Sequence, residues 1–314
     1  MKVLIGLIVA LGTLWGGGYG LGTAYQQQIF DAAMSYESEL SGLEEKTTQI
    51  SVGQISYFEN QHAGVKPSVL LVHGFAAYKE NWLRFARHFK DDYHVVIIDL
   101  PAHGKSVKDM KLNYSLANQV KWVEEFAQAV GLKRFHLAGN SMGGAISALY
   151  AANNPEQVLS ATLMDPAGVH DHRSVMQDLL DSGENPLVVV DTTSFKRLMN
   201  FALEQPPFVP WPITQVSADR AQTLKPIHDK LFADMQLGQG EDFKAMLKGI
   251  QVPIQVQWGE QDRVINYKNI DTFTALIPKA SGHVWPNVGH APMIEIPQQS
   301  AALMLAHMQA NISL

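Results

Sequence analysis

Apolar residues along this chain fall into two rhythms, and the switching between them predicts the architecture. Short continuous apolar runs at 68–72, 95–98, 135–138 and 159–164 are of the kind found in strands buried on both faces. Between them, 81–89 and 115–130 place apolar residues at three- and four-residue steps, the spacing of helices. Upstream, Gln49 to Phe58 alternates around Gly53 and reads as a hairpin. Downstream, Pro253–Gly259 and Gly282–Pro286 add two strands, and Gln298–Asn311 forms a closing helix. Strands alternating with helices predict an α/β fold around a mostly parallel, doubly wound sheet.

Two stretches break this rhythm. Residues 170–245 show no strand alternation and are rich in Met, Phe and Pro, as in Phe208-Val209-Pro210-Trp211-Pro212. They are expected to form a helical cap inserted into a core made of 47–169 and 246–314. The other stretch is the N-terminus, where no charge falls between Lys2 and Asp31. As a helix, Val3–Tyr25 would be on the order of 35 Å long, enough for a hydrocarbon core of about 30 Å. Residues 1–25 are read as an uncleaved transmembrane anchor, with a signal peptide cleaved near Ala24 as the alternative. Trp15, Tyr19 and Tyr25 are placed for the membrane interface.

Gly12, Gly16 and Gly20 lie four residues apart, a small-residue face on which two such helices can associate into a homodimer. A flexible glycine run near a cleavage site is the plainer account. Lys2 precedes the span, and no Lys or Arg follows until Lys46. That asymmetry puts the start of the chain inside and its bulk outside. Residues 26–46 continue as a juxtamembrane helix, with Ile29, Phe30, Ala33, Met34, Leu40 and Leu43 at helical steps.

Composition narrows the chemistry. The chain of 314 residues is long enough for one large domain with an insertion, or for two domains. A net charge of −6 and the lack of a basic stripe exclude a nucleic-acid surface. Cysteine is absent, so neither a thiolate nucleophile nor a zinc–thiolate site is available. The twelve histidines lack metal-ligand spacing, so no metal is expected.

What remains is a hydroxyl. Gly139-Asn140-Ser141-Met142-Gly143 follows an apolar run and opens a small-residue helical pattern, the form of a nucleophile elbow. A serine hydroxyl needs a base, and the base needs a group that fixes its tautomer. Two later strand ends offer them: Asp262 in Gly259-Glu260-Gln261-Asp262-Arg263 and His290 in Gly289-His290-Ala291-Pro292. Asp165 and Glu260 are rival acids, whereas His73, His103 and His136 are read as structural. Ser141 is the expected nucleophile, His290 the general base and then acid, and Asp262 its orienter. Backbone N–H groups of Met142 and Phe75 are the expected oxyanion donors.

In combination these segments resemble the α/β-hydrolase superfamily. The likeness rests on His-Gly-Phe at 73–75, Asp-Leu-Pro-Ala-His-Gly-Lys-Ser at 99–106, the elbow, Trp-Gly-Glu-Gln-Asp-Arg-Val at 258–264 and Gly-His-Ala-Pro-Met-Ile-Glu at 289–295. It departs at Ala102, where the pattern has glycine. With its N-terminal segment, the chain resembles membrane-anchored bacterial lipases and phospholipases of the PlaF type and anchored monoacylglycerol lipases. The resemblance implies hydrolysis of acyl esters of glycerolipids or lysophospholipids without a cofactor, at the outer face of a bacterial inner membrane. A carbon–carbon bond hydrolase of aromatic ring-cleavage products is the alternative. Those enzymes carry the same elbow, but usually have Trp where Ala291 stands.

Overall fold

A computed structural model describes residues 17–235 and 241–312. Its centre is an eight-stranded sheet in the order β1-β2-β4-β3-β5-β6-β7-β8. The strands are β1 (Glu44–Ile50), β2 (Gly53–Glu59), β3 (Ser68–Val72), β4 (His94–Ile98), β5 (Phe135–Asn140), β6 (Val158–Met164), β7 (Ile254–Gly259) and β8 (Ala280–Trp285). β3 to β8 run parallel, while the β1–β2 hairpin joins antiparallel at the β4 edge. All residues of β4, β5 and β7 are buried, and the polar ones among them, such as His94, His136, Asn140, Gln255 and Gln257, are hydrogen-bonded.

Helices cover both faces and separate two apolar cores. On one side, α3 (Leu116–Ala129) and α4 (Met142–Asn153) pack Val120, Phe126, Ala145 and Ile146 against Leu70, Val96 and Leu137. On the other, the short α2 (Leu83–Ala86) and the closing α11 (Pro297–Ala310) pack Phe85, Ala301 and Met304 against Val69, Leu71 and Ile97. This order lets β3, β5, β6 and β7 end side by side, so the loops after them meet at one rim.

The inserted region is helical. It holds α5 (Val175–Asp181), α6 (Thr192–Ala202), α7 (Trp211–Met235) and α8 (Glu241–Lys248), and among the described residues no strand lies between β6 and β7. The last of these helices runs past residue 245 before the sheet resumes. Two further elements differ from expectation. The hairpin starts at Glu44, and the helix expected over 81–89 shrinks to α2 and a preceding single turn at Lys79–Trp82. In β1, Glu44 to Thr48 are polar, and no residue of the strand is fully buried, so an edge strand there left no apolar trace.

The N-terminal helix α1 (Gly17–Leu40) has non-helical dihedrals at Tyr25, with φ −122° and ψ 18°. Its C-terminal half docks on the globular domain. Phe30 is buried, Ser41 Oγ donates to Leu83 O at 2.8 Å, and Glu37 pairs with Arg84 and Arg87. On α7, Arg220 lies over the rings of both Phe30 and Tyr78, 5.0 and 5.2 Å from their centroids. Most of the expected membrane span, with Gly12 and Gly16, lies outside the described residues. Among the described residues no helix is long and apolar enough to cross a membrane.

One buried ion cluster fixes the loop after β3. Lys79 is fully buried, and its Nζ contacts Asp99 Oδ2 at 2.6 Å, Glu45 Oε1 at 3.0 Å and Glu80 Oε1 at 3.4 Å. Burial opposes its charge, but Asp99 and Glu80 outweigh it and hold the ammonium above its ordinary pKa. Asp99 also accepts from the backbone N–H of Lys79 and Lys105, so it ties the ends of β3 and β4 together. Replacing Lys79 with Met should leave Asp99 without its ammonium partner and cost about 3–5 kcal/mol in urea unfolding. Adding Asp99→Asn should recover a large part of that loss, and a strictly additive double mutant would show that the two are not coupled.

Candidate active site

The turn between β5 and α4 places Ser141 at the rim. Its backbone has φ 57° and ψ −118°, a conformation disfavoured for a residue with a Cβ. The chain is held there by its neighbours: Ser141 N donates to Met164 O at 2.9 Å, and Ser141 O accepts from Ala145 and Ala167 at 3.0 Å each. The turn needs bare backbone around it. A Cβ on Gly143 would lie 2.3 Å from Val72 O, and one on Gly74 would lie 3.1 Å from the Ser141 Cβ. The second distance also shows how closely the loop after β3 approaches the serine.

The loops after β7 and β8 bring the expected acid and base together. His290 Nδ1 bonds Asp262 Oδ2 at 2.7 Å. Asp262 is oriented in turn: Oδ1 accepts from Val264 N at 2.8 Å and Ile265 N at 3.0 Å, and Trp258 Nε1 donates to Oδ2 at 3.0 Å. Both side chains are largely buried. The His290 loop is fastened to the elbow by Asn140, whose Nδ2 donates to His290 O at 2.9 Å and Met164 O at 3.2 Å. It is fastened to the cap as well, since His290 N donates to Ala202 O at 2.7 Å. Glu295 completes this junction by accepting from Gly289 N at 2.9 Å, Glu204 N at 2.8 Å and Gln205 N at 2.7 Å.

Asp165 lies beside this pair. One donor atom from each of Asp165, Asp262 and His290 falls within 4.8 Å of the others. Asp165 is fully buried at φ 46°, its Oδ1 accepts from Gly259 N at 2.9 Å, and its Oδ2 has no partner among the described residues. Burial first, and then the neighbouring Asp262 carboxylate, push its pKa well above the usual aspartate value. A buried carboxyl so placed favours its proton and braces the end of β7, whereas the imidazole bonds Asp262. Two acids and a histidine could also suggest a metal. Here Asp262 spends both oxygens on N–H donors and the imidazole, the imidazole spends Nδ1 on Asp262, and Asp165 spends one oxygen on Gly259 N–H, so the donor set is committed to hydrogen bonds rather than arranged around an ion.

The expected oxyanion donors lie on the two segments that meet at the elbow, the loop after β3 and the start of α4. Met142 is the first residue of α4, so its N–H has no acceptor within the helix. In the loop after β3, Ala76 N donates to His103 Nε2 at 3.2 Å and Ala77 N to Gly74 O at 3.3 Å. Phe75 N and Gly74 N donate in none of the described hydrogen bonds, so the expected donor Phe75 N is uncommitted. His103 and His73 both act as neutral braces. His103 donates from Nδ1 to Pro101 O at 3.1 Å, and His73 donates from Nδ1 to Gly74 O at 2.8 Å and accepts Leu100 N at 3.0 Å. Burial depresses both pKa values, which keeps the accepting nitrogens free of protons. His136 lies away from the rim and bonds Ser160 Oγ at 2.8 Å.

Three contributors carried no role in the sequence reading: Asn140, Trp258 and Glu295. All lie inside the quoted motifs, one to five residues from an expected site residue. Motif position was the available signal, but the partners come from loops far apart in sequence.

Between this rim and the cap lies a cavity of about 140 Å³. Phe75, Ala76 and Tyr78 wall it from the core, and Leu187, Val189, Phe195, Leu198 and Phe232 from the cap.

Comparison with known proteins agrees with this architecture. Residues 67–297 match the family model described as alpha/beta hydrolase fold. Lipase 1 of Psychrobacter immobilis is 32% identical over 273 residues, covering 85% of each chain. Monoacylglycerol lipase ABHD6 of Rattus norvegicus is 30% identical over 263 residues, covering 80% of this chain and 78% of its own. The crystal structure of a membrane phospholipase A, described as a bacterial virulence factor, superposes with a TM-score of 0.90 at 35% identity. That superposition covers 100% of this chain and 99% of the other. The chain belongs to the α/β-hydrolase fold family.

The two aspartates should separate cleanly. Asp262→Asn is expected to lower kcat on a chromogenic ester by about 10³–10⁴-fold with the fold intact. Asp165→Asn keeps the Gly259 bond and should change kcat by less than about threefold. Because the folded pKa of Asp165 is raised, its contribution is full below the unfolded value of about 4 and is lost as pH rises through the folded value. The melting temperature of Asp165→Asn relative to wild type should therefore climb with pH. A larger activity loss in Asp165→Asn than in Asp262→Asn would reverse the assignment.

Proposed function

We propose that this chain is a membrane-anchored serine carboxylester hydrolase that cleaves acyl esters of glycerolipids through Ser141, His290 and Asp262. The observation that carries the reading is the apolar cavity whose wall includes Phe75, the residue whose N–H is a candidate oxyanion donor. An ester lying there runs against Phe75, whose neighbour Gly74 abuts Ser141. The kinship with lipases, a monoacylglycerol lipase and a membrane phospholipase A supports the same chemistry.

In this mechanism Ser141 Oγ attacks the acyl carbonyl carbon while His290 Nε2 takes its proton. Asp262 accepts the Nδ1 hydrogen, so Nε2 is the basic nitrogen and the imidazolium that forms is stabilised. The tetrahedral oxyanion accepts from Phe75 N–H and Met142 N–H. Collapse breaks the bond to the alcohol oxygen, which receives the proton from His290 and leaves an acyl-enzyme. Water then repeats the sequence, releasing the acid and restoring Ser141.

We assign residues 1–25 to the anchor, with the catalytic domain on the outer face of a bacterial inner membrane and the face of Gly12, Gly16 and Gly20 pairing two copies. An amphiphilic ester partitions into the membrane and so concentrates where the enzyme sits.

Detergent-solubilised full-length protein tests the chemistry. It should hydrolyse acyl esters and glycerolipid esters, and Ser141→Ala should lower the rate at least about 10³-fold without a change in circular dichroism. Turnover of a ring-fission dienoate alone would point to carbon–carbon bond hydrolysis instead. The anchor is tested by alkaline carbonate extraction: the chain should stay in the membrane pellet and retain its own N-terminus. Release into the supernatant with a new N-terminus near Ala24 would mean cleavage and secretion.

A further inference from the structure

The cavity wall is mostly carbon, and one of its polar members is unusual. His228, on α7, is only 6% exposed and lines the cavity, yet its Nε2 has no hydrogen-bond partner among the described residues. Native structures rarely leave a buried ring nitrogen unpaired, because its lost hydration goes uncompensated. Its neighbours are no help. His103, 5.4 Å away between ring centroids, commits both nitrogens to Pro101 O and Ala76 N, and His73 commits both to Gly74 O and Leu100 N. Phe75, with its ring centroid 5.7 Å away, offers only carbon.

The chemistry of the missing partner follows from the wall. Burial first, and then His73 and Lys108, push the His228 pKa down to about 4, so the ring is neutral at pH 7. A neutral imidazole has one donor and one acceptor, and a hydroxyl can satisfy either nitrogen. An anionic head group fits worse, because Lys225 in the same wall is already paired with Asp229.

We infer that His228 is a specificity residue whose Nε2 hydrogen-bonds a free hydroxyl on the alcohol part of the substrate. The site therefore takes a partial glyceride ahead of a simple alkyl ester of the same acyl chain. This rests on the ester-hydrolase reading above and names which alcohol that site prefers. A pocket built to pair with a hydroxyl discriminates against the analogue that lacks one, because the buried nitrogen is then left bare.

The test compares kcat/KM of full-length protein in detergent on three esters of one acyl chain: the monoacylglycerol, the ethyl ester and the lysophospholipid. Wild type should favour the monoacylglycerol over both others. His228→Leu should cut the monoacylglycerol-to-ethyl-ester ratio about tenfold or more, with the loss falling on KM for the glyceride more than on kcat. His228→Gln, whose amide both donates and accepts, should recover part of the ratio and stands in if the Leu variant fails to fold. A wild-type ratio near one, a preference for the lysophospholipid, or a ratio unmoved by both substitutions overturns the proposal. Failure of the underlying reading looks different, with no Ser141-dependent turnover of any of the three esters.

Discussion

The strained turn at Ser141 is the constraint on which the rest of this structure depends. A residue with a Cβ at φ 57° and ψ −118° costs on the order of 1–3 kcal/mol relative to relaxed backbone. The strain persists because neighbours on three sides over-determine it: β6 holds the Ser141 N–H, the loop after β6 and the first turn of α4 take its carbonyl, and the loop after β3 closes from the side. Similar strain recurs close by. Ala76, Ala102 and Asp165 also sit at positive φ, at 52°, 75° and 46°. Each lies in a loop at the carboxyl end of β3, β4 or β6. At Ala102 the conformation explains why the family pattern has glycine, and Ala102 N is retained by a 2.9 Å bond to Val107 O. The rim is thus a set of unfavourable local conformations held in place by a rigid parallel sheet.

Neutral groups hold the charged chemistry in position. His73 and His103 each offer a buried neutral acceptor to a backbone N–H, and Asp165 offers a third from a carboxyl that burial and Asp262 bias toward its protonated form. This matters for the oxyanion loop in particular. A protonated His103 would turn a second donor toward Ala76 N–H and break the bond that fixes the loop. Desolvation prevents this by making the cation costly, so the same burial that packs the rim also sets the tautomers it needs. The full charge in this region, Lys79 with Asp99, lies one layer below the donors and ties the same two loops together.

The parts of the fold written as repeated pattern were legible in the sequence. β3 and β4 were visible because strands buried on both faces are nearly all apolar, β5 and β6 as mostly apolar stretches before the elbow and Asp165, and the order of the elbow, acid and base motifs followed their strand ends. The misses have physical causes. β1 lacks a fully buried residue and so carries no apolar alternation. α2 is cut to a single short turn because the chain beside it is spent on the Lys79 cluster. In the cap, α7 carries Pro226 in its interior and no strong apolar stripe, so its extent could not be read from periodicity. At the site, Ser141, Asp262 and His290 were named from motif alone. Asp262 was preferred to Asp165 on motif order, and the 2.7 Å bond to His290 is consistent with that; the position of His228 against Phe75 needed the tertiary fold.

Chemistry and selectivity are joined at a few contacts rather than separated into core and cap. The loop bearing His290 hangs from the cap by its own N–H, and Glu295 gathers that loop and the residues after α6 on one carboxylate. Across the cavity, α7 places His228 against Phe75, and about two helical turns earlier Arg220 spans Tyr78 and Phe30 of α1. A displacement of α7 would therefore change the cavity wall, the ring packed on the oxyanion loop and the seat of the N-terminal helix together. The strained loops tolerate little of that, since Ala76 N and Ser141 N are each held by a single acceptor. The cap is consequently positioned by the same hydrogen bonds that position the His290 loop.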